Sequence, residues 1–142
     1  MQVRREANGL LVVNLTRGEN IRAKVEEMAF KESIVGAEVS AIGAVANPEL
    51  GYYKLDERDY IRRFFPGDWE LLSLLGNITQ KDGKPFLHAH ASLSGKDFNV
   101  IGGHLFDARV AVVVEMLITR IGTPLRRVYC DDVGLHCWEL TA

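Results

Sequence analysis

The chain has 142 residues, 47% hydrophobic and 25% charged, with 17 basic and 19 acidic side chains for a formal charge of −2. That length supports one core without disulfide staples. The near-neutral balance gives no global pull toward nucleic acid, and the paired arginines Arg4-Arg5, Arg62-Arg63 and Arg126-Arg127 are local features. The longest apolar stretch, residues 110–118, is interrupted by Glu115 and is too short to span a bilayer. The start, Met1-Gln2-Val3-Arg4-Arg5-Glu6, does not lead into the apolar segment of a secretory leader. The expectation is a soluble, cytoplasmic protein with no membrane partner.

In chain order, residues 9–15 read as an apolar strand and residues 19–31 as the one convincing helix, with Ile21, Val25, Met28 and Ala29 on a common face. Residues 34–45 and 50–55 are predicted as two strands, with Pro48 marking the turn between them. A short strand at 60–65 is closed by Pro66-Gly67-Asp68, and a long one follows at 69–79. Lys81-Asp82-Gly83-Lys84 then turns the chain into a strand at 86–93. Residues 100–106 return, residues 108–121 form the most apolar strand, and 125–129 and 135–141 finish the chain. The class is α+β, mainly antiparallel sheet with one principal helix, in a single compact domain over residues 1–142.

Three of the four histidines fall in the neighbouring strands at 86–93 and 100–106, in Leu87-His88-Ala89-His90-Ala91 and in Gly102-Gly103-His104-Leu105. A His-x-His pair on a strand points both imidazoles to one side, because the side-chain period is two. A third from the neighbouring strand completes a three-nitrogen face with an open fourth position, the pattern of catalytic zinc sites. If all three share a face, the loop around Ser94-Gly95-Lys96-Asp97 holds an odd number of residues, or a bulge intervenes, for which Gly102-Gly103 is the natural place. Glycine at 102 and 103 also lets backbone approach a ligand or a partner chain closely, making the pair a candidate pocket backbone. Any one histidine alone reads as an ordinary strand residue satisfied by backbone or water. Three imidazoles on one face would repel when protonated and leave nitrogens to satisfy when buried, and this favours a divalent metal.

Two carboxylates are candidates for acid–base work beside a metal-bound water, Glu70 and Glu115. Glu115 interrupts Val-Val-Val-Glu-Met-Leu-Ile, so it is either paired in a buried setting or placed on an exposed sheet face. The two cysteines, Cys130 and Cys137, suit a reducing compartment. With His136 they offer a second metal cluster, disfavoured because adjacent His136 and Cys137 on a strand point to opposite faces.

The order of motifs Ala41-Ile42-Gly43-Ala44-Val45, Gly51-Tyr52-Tyr53, Glu70 to Ile78, His88-Ala89-His90 and Gly102-Gly103-His104-Leu105 resembles the PPC domain, named for plants and prokaryotes. The resemblance implies a compact α+β domain that assembles as a homotrimer, in a family whose prokaryotic members are often labelled predicted DNA-binding proteins. Plant members carry AT-hooks ahead of the domain. The one Arg-Gly pair here, Arg17-Gly18, is followed by Glu19, so DNA binding lacks that minor-groove device. His88, His90 and His104 match the prokaryotic pattern, which the plant members lack. The fold is also similar to that of acetolactate decarboxylase, a zinc enzyme with a His-x-His and a later His, although its acid and base residues map onto no motif here. Three readings follow: a trimeric zinc protein with a small anionic or carbonyl ligand, with or without catalysis; a DNA-associated regulatory or architectural protein; and an assembly scaffold.

Overall fold

The computed structural model describes residues 1–140. Its elements in order are β1 (Gln2–Arg5), β2 (Leu10–Thr16), α1 (Ile21–Lys31), β3 (Ala37–Lys54), β4 (Asp59–Phe64), β5 (Asp68–Lys81), β6 (Lys84–Ser94), β7 (Val100–Arg120), β8 (Arg126–Cys130) and β9 (Leu135–Glu139). The expected α+β architecture holds, one helix against a sheet in which every pairing but one is antiparallel.

The helix forms where the sequence places it, two residues shorter at its start. Asn20 is the N-cap, and its side chain accepts from the Ala23 N–H, satisfying one of the orphan donors of the first turn. Ile21, Val25, Met28 and Ala29 are the buried face. They join one contiguous core with Leu15, Leu87, Leu105 and Val110, where each fully buried aliphatic side chain contributes about 1.5–3 kcal/mol.

Two expected strand breaks do not exist. Residues 37–54 form one strand, β3, that passes through Pro48. The irregularity that the proline signals is a bulge: the register with β7 shifts between Ala46 and Glu49, and Asn47 takes a positive φ of 53°. A proline lacks the ladder N–H, and a bulge is where that loss costs least. Likewise β7 runs unbroken through Asp107, whose Oδ1 accepts from the Asn20 side chain and from the Ala108 N–H at a second register shift. The amino-terminal strand β1, an edge strand paired with β2, carries no clear apolar alternation and escapes the sequence reading. The expected final strand, 135–141, ends within the described residues at Glu139, and its last residue lies outside them.

The long strands set the shape. β3 pairs with β5 on one side and β7 on the other, while β6 pairs with both β5 and β7, so the circuit β3–β5–β6–β7 closes on itself and curls the sheet round the core. Close backbone approach needs glycine at two points of this circuit. A Cβ on Gly103 would lie 2.7 Å from the Gly51 carbonyl oxygen, and a Cβ on Gly76 would strike the His88 carbonyl and come within 2.9 Å of the Ala89 Cα. Gly76→Ala therefore forces β5 and β6 apart beside the histidines and is expected to cost about 1–3 kcal/mol. Gly122→Ala, with nothing within 4 Å of its added methyl, is expected to be neutral within about 0.5 kcal/mol. Urea unfolding of the two variants compares them directly.

Candidate metal centre

The β6–β7 hairpin delivers the histidines as their spacing requires. His90 lies directly opposite His104 in an unbroken register that runs to Ser94 opposite Val100. The connecting loop, residues 95–99, has an odd length, so no bulge is needed between these two strands. His88 sits two residues before His90 on the same face. The ring centroids stand 5.3 Å apart for His88 and His90, 5.1 Å for His88 and His104, and 5.5 Å for His90 and His104. One nitrogen from each lies within 4.8 Å of the others.

Beyond the His90–His104 pair the two strands part, and α1 fills the gap. Arg22 donates to the Leu87 carbonyl (2.8 Å), the Leu105 carbonyl (3.0 Å) and the Phe106 carbonyl (3.0 Å), while Glu26 accepts from the Leu87 N–H. An Arg22–Glu26 contact of 3.3 Å completes the clamp. It satisfies the backbone groups that lose their ladder partners, and so fixes the residues next to His88 and His104.

The environments of the three rings differ. His104 is 8% exposed, packed against Tyr60 and Phe106, and its Nδ1 is buried with no hydrogen-bond partner. A buried imidazole nitrogen without a partner is costly, and a metal ion is one group that would satisfy it. Burial first, then the neighbouring His88 and His90, hold the His104 pKa down to about 3. Burial first, then the Arg127 guanidinium, holds half-buried His88 down to about 4. Both rings are therefore neutral at physiological pH, the state a metal ligand must have. His90 is exposed. Three imidazole nitrogens converging from one sheet face fit a divalent transition metal, which would offer an open position for polarising a carbonyl or acidifying a water.

A cavity of about 310 Å³ opens beside His88 and His104. Its far wall is the β8–β9 hairpin, which brings Arg127, Leu135 and His136 over the histidines. The hairpin reaches the rest of the sheet through one parallel pair, Gln80 with Arg126, and is tied down by the Tyr53 hydroxyl donating to the Val133 carbonyl at 2.6 Å. Arg127 is the residue that sequence reasoning passed over, noted there only as half of a basic pair. The one local hint is Asn77, which stands opposite His88 in the β5–β6 ladder and accepts from Arg127.

The other sequence candidates fall elsewhere. Glu115 is exposed and lines a groove on the outer sheet face with Asn14, Ile42 and Leu117. Glu70 is exposed at the opposite end of β5, across from Ser94. Neither lines the histidine cavity, so one chain brings neither candidate carboxylate to the three histidines. Gly102 and Gly103 do not line the cavity either; their bare Cα atoms face the Ala91 and Gly51 carbonyls, and the glycine pair serves strand packing. Cys130, Cys137 and His136 are not brought together as a metal-binding group among the described residues.

The depressed histidine pKa values have a stability consequence. In the metal-free protein the unfolded chain takes up protons on these histidines near pH 6.5, while the folded chain resists until about pH 4 for His88 and about pH 3 for His104. The unfolded state binds more protons across that window, so stability falls as pH drops from about 6.5 toward 4. A His88→Ala, His104→Ala double variant is expected to lose part of that slope, measured as urea midpoints from pH 7 to pH 4.

Residues 4–122 match the model of the Plants and Prokaryotes Conserved (PCC) domain. The structure is similar to a plant- and prokaryote-conserved (PPC) protein from Pyrococcus horikoshii, with TM-score 0.87 and 32% identity over 99% of this chain and 95% of the other. It is equally similar to a metal-containing protein from Archaeoglobus fulgidus, with TM-score 0.87 and 34% identity over 99% of each chain. Two more distant structures share the fold alone. A candidate DNA-binding protein from Ralstonia eutropha JMP134 has TM-score 0.91 at 24% identity, covering 98% of this chain and 96% of that one. The α-acetolactate decarboxylase of Bacillus subtilis strain 168 has TM-score 0.58 at 14% identity, with 86% of this chain aligned to 57% of the enzyme. No curated protein sequence matches significantly. With the family model spanning most of the chain and its three histidines gathered on one sheet face, this protein belongs to the Plants and Prokaryotes Conserved domain family.

Proposed function

We propose that this protein is a metal-binding member of the family, holding one divalent ion, zinc, on His88, His90 and His104 and presenting it to a small molecule in the adjoining cavity. The observation that carries this reading is the convergence of three imidazole rings that each bring a nitrogen within 4.8 Å of the others, one of them the buried His104, whose Nδ1 has no hydrogen-bond partner. Nitrogen ligands and a three-protein-ligand set with an open position suit zinc among the common divalent metals. The metal-containing relative at 34% identity supports metal binding, whichever the ion.

The assembly we propose is the homotrimer. Its support in this chain is the outer sheet face, where Ile42, Leu72, Leu75, Val112 and Leu117 are all more than 45% exposed. A contiguous apolar surface of that kind marks an association site. The Asn14 side-chain oxygen, buried in the same region without a donor, is the sort of group a second copy would satisfy. Leu75 is directly opposite His90 in the β5–β6 ladder, so a subunit interface on this face runs up to the metal centre. DNA association is the second reading. The name carried by the Ralstonia protein favours it, and the acidic balance of the chain opposes it.

Elemental mass spectrometry of untagged protein is expected to find about one zinc per chain, lost when His88, His90 and His104 are all changed to alanine. Wild-type protein without stoichiometric metal would overturn the reading. Light scattering is expected to give about three times the 15.9 kDa chain mass, falling to one chain in Leu117→Glu; a monomeric wild type would remove the trimer.

A further inference from the structure

Arg127 occupies an unusual position for a cation. Its four hydrogen bonds all go to neutral groups: the Thr79 hydroxyl (3.0 Å), the His136 carbonyl (2.8 Å), the Asn77 side-chain oxygen (3.0 Å) and His88 Nδ1 (2.8 Å). It forms no ion pair among the described residues. Two more cations, Arg22 and Lys81, line the same cavity, and Phe86 receives all three at 5.3–5.6 Å from its ring centroid. No Asp or Glu lines the cavity, and the nearby carboxylate of Glu26 is already engaged by Arg22. Charge of one sign in a small, partly enclosed cleft calls for an anion.

The contact with His88 has a chemical consequence. A guanidinium has donors and no acceptor, so His88 Nδ1 must be the acceptor and the neutral ring carries its proton on Nε2. In that state Nδ1 is occupied by Arg127, and Nε2 has no free lone pair. Whichever nitrogen faces the cluster, His88 cannot bind a metal until Arg127 leaves.

We propose that Arg127 couples the metal to a small carboxylate: the carboxylate draws the guanidinium off His88, and His88 then completes the metal site. This rests on the metal reading given above. A planar carboxylate matches the fork of a single guanidinium. The 310 Å³ cavity, at the small end of ligand pockets, suits a compact acid. The hairpin that carries Arg127 is held by one ladder pair and the Tyr53–Val133 hydrogen bond, and releasing His88 asks only for a movement of the Arg127 side chain.

The test is zinc affinity of the intact protein, by competition with a chromophoric chelator at fixed pH, free zinc and ionic strength. In chloride, Arg127→Met is expected to bind zinc about tenfold more tightly than wild type, because a competing cation has gone. Replacing chloride by acetate is expected to tighten wild type about tenfold and the variant less than about twofold. Equal or weaker zinc binding by Arg127→Met in chloride, or the same acetate effect in both proteins, would overturn the coupling. Sulfate acting as well as acetate would overturn the carboxylate assignment. Wild type that binds no zinc under any of these conditions would instead defeat the metal reading itself. A second measurement needs no variant: in metal-free protein labelled with nitrogen-15 histidine, His88 is expected as the Nε2–H tautomer, and an Nδ1–H tautomer contradicts the gate.

Discussion

Everything at the three-histidine site depends on the register that sets His90 opposite His104. Side chains alternate along a strand, so a slip of one residue between β6 and β7 would send His104 to the other face and leave two imidazoles without a third. Several independent features hold that register. The five-residue loop fixes its phase, Gly103 lets β7 lie close against β3, and the Arg22–Glu26 clamp ends the ladder beyond the pair. The helix thus helps form the core and also terminates the strand pairing next to the histidines.

The site then follows from burial. His104 is driven under Tyr60 and Phe106 by the same curl that closes the β3–β5–β6–β7 circuit, and burial keeps it neutral. The cost of an unpartnered nitrogen in that position is the physical reason to expect an ion there. The surrounding charge is the basis of the proposed anionic ligand: cations stand on the cavity wall, and the exposed carboxylates Glu70 and Glu115 lie elsewhere.

The histidine face was legible in the sequence because it is local. A period of two, a short connection and one more histidine sufficed, and the helix face Ile21, Val25, Met28 and Ala29 was legible for the same reason at period 3.6. What the sequence hid is what arrives from far along the chain. Arg127 reaches His88 across 39 residues through a hairpin whose docking depends on tertiary contacts, and Arg22, besides its i,i+4 contact with Glu26, bonds three carbonyls of β6 and β7 that no local pattern announces. Pro48 misled for another reason: it is a strand-breaking signal that here marks a bulge inside a continuous strand, and the expected division between 106 and 108 is likewise a register shift inside β7. Glu115 resolved to the exposed alternative, since alternation turns it outward between buried Val114 and Met116.

X-ray absorption at the zinc edge of the loaded protein tests the three-histidine centre most directly, because it identifies the atoms bonded to the ion. A shell of three imidazole nitrogens with the remaining position filled by oxygen is expected. A shell containing sulfur from Cys130 or Cys137, or one with a single imidazole, would contradict it.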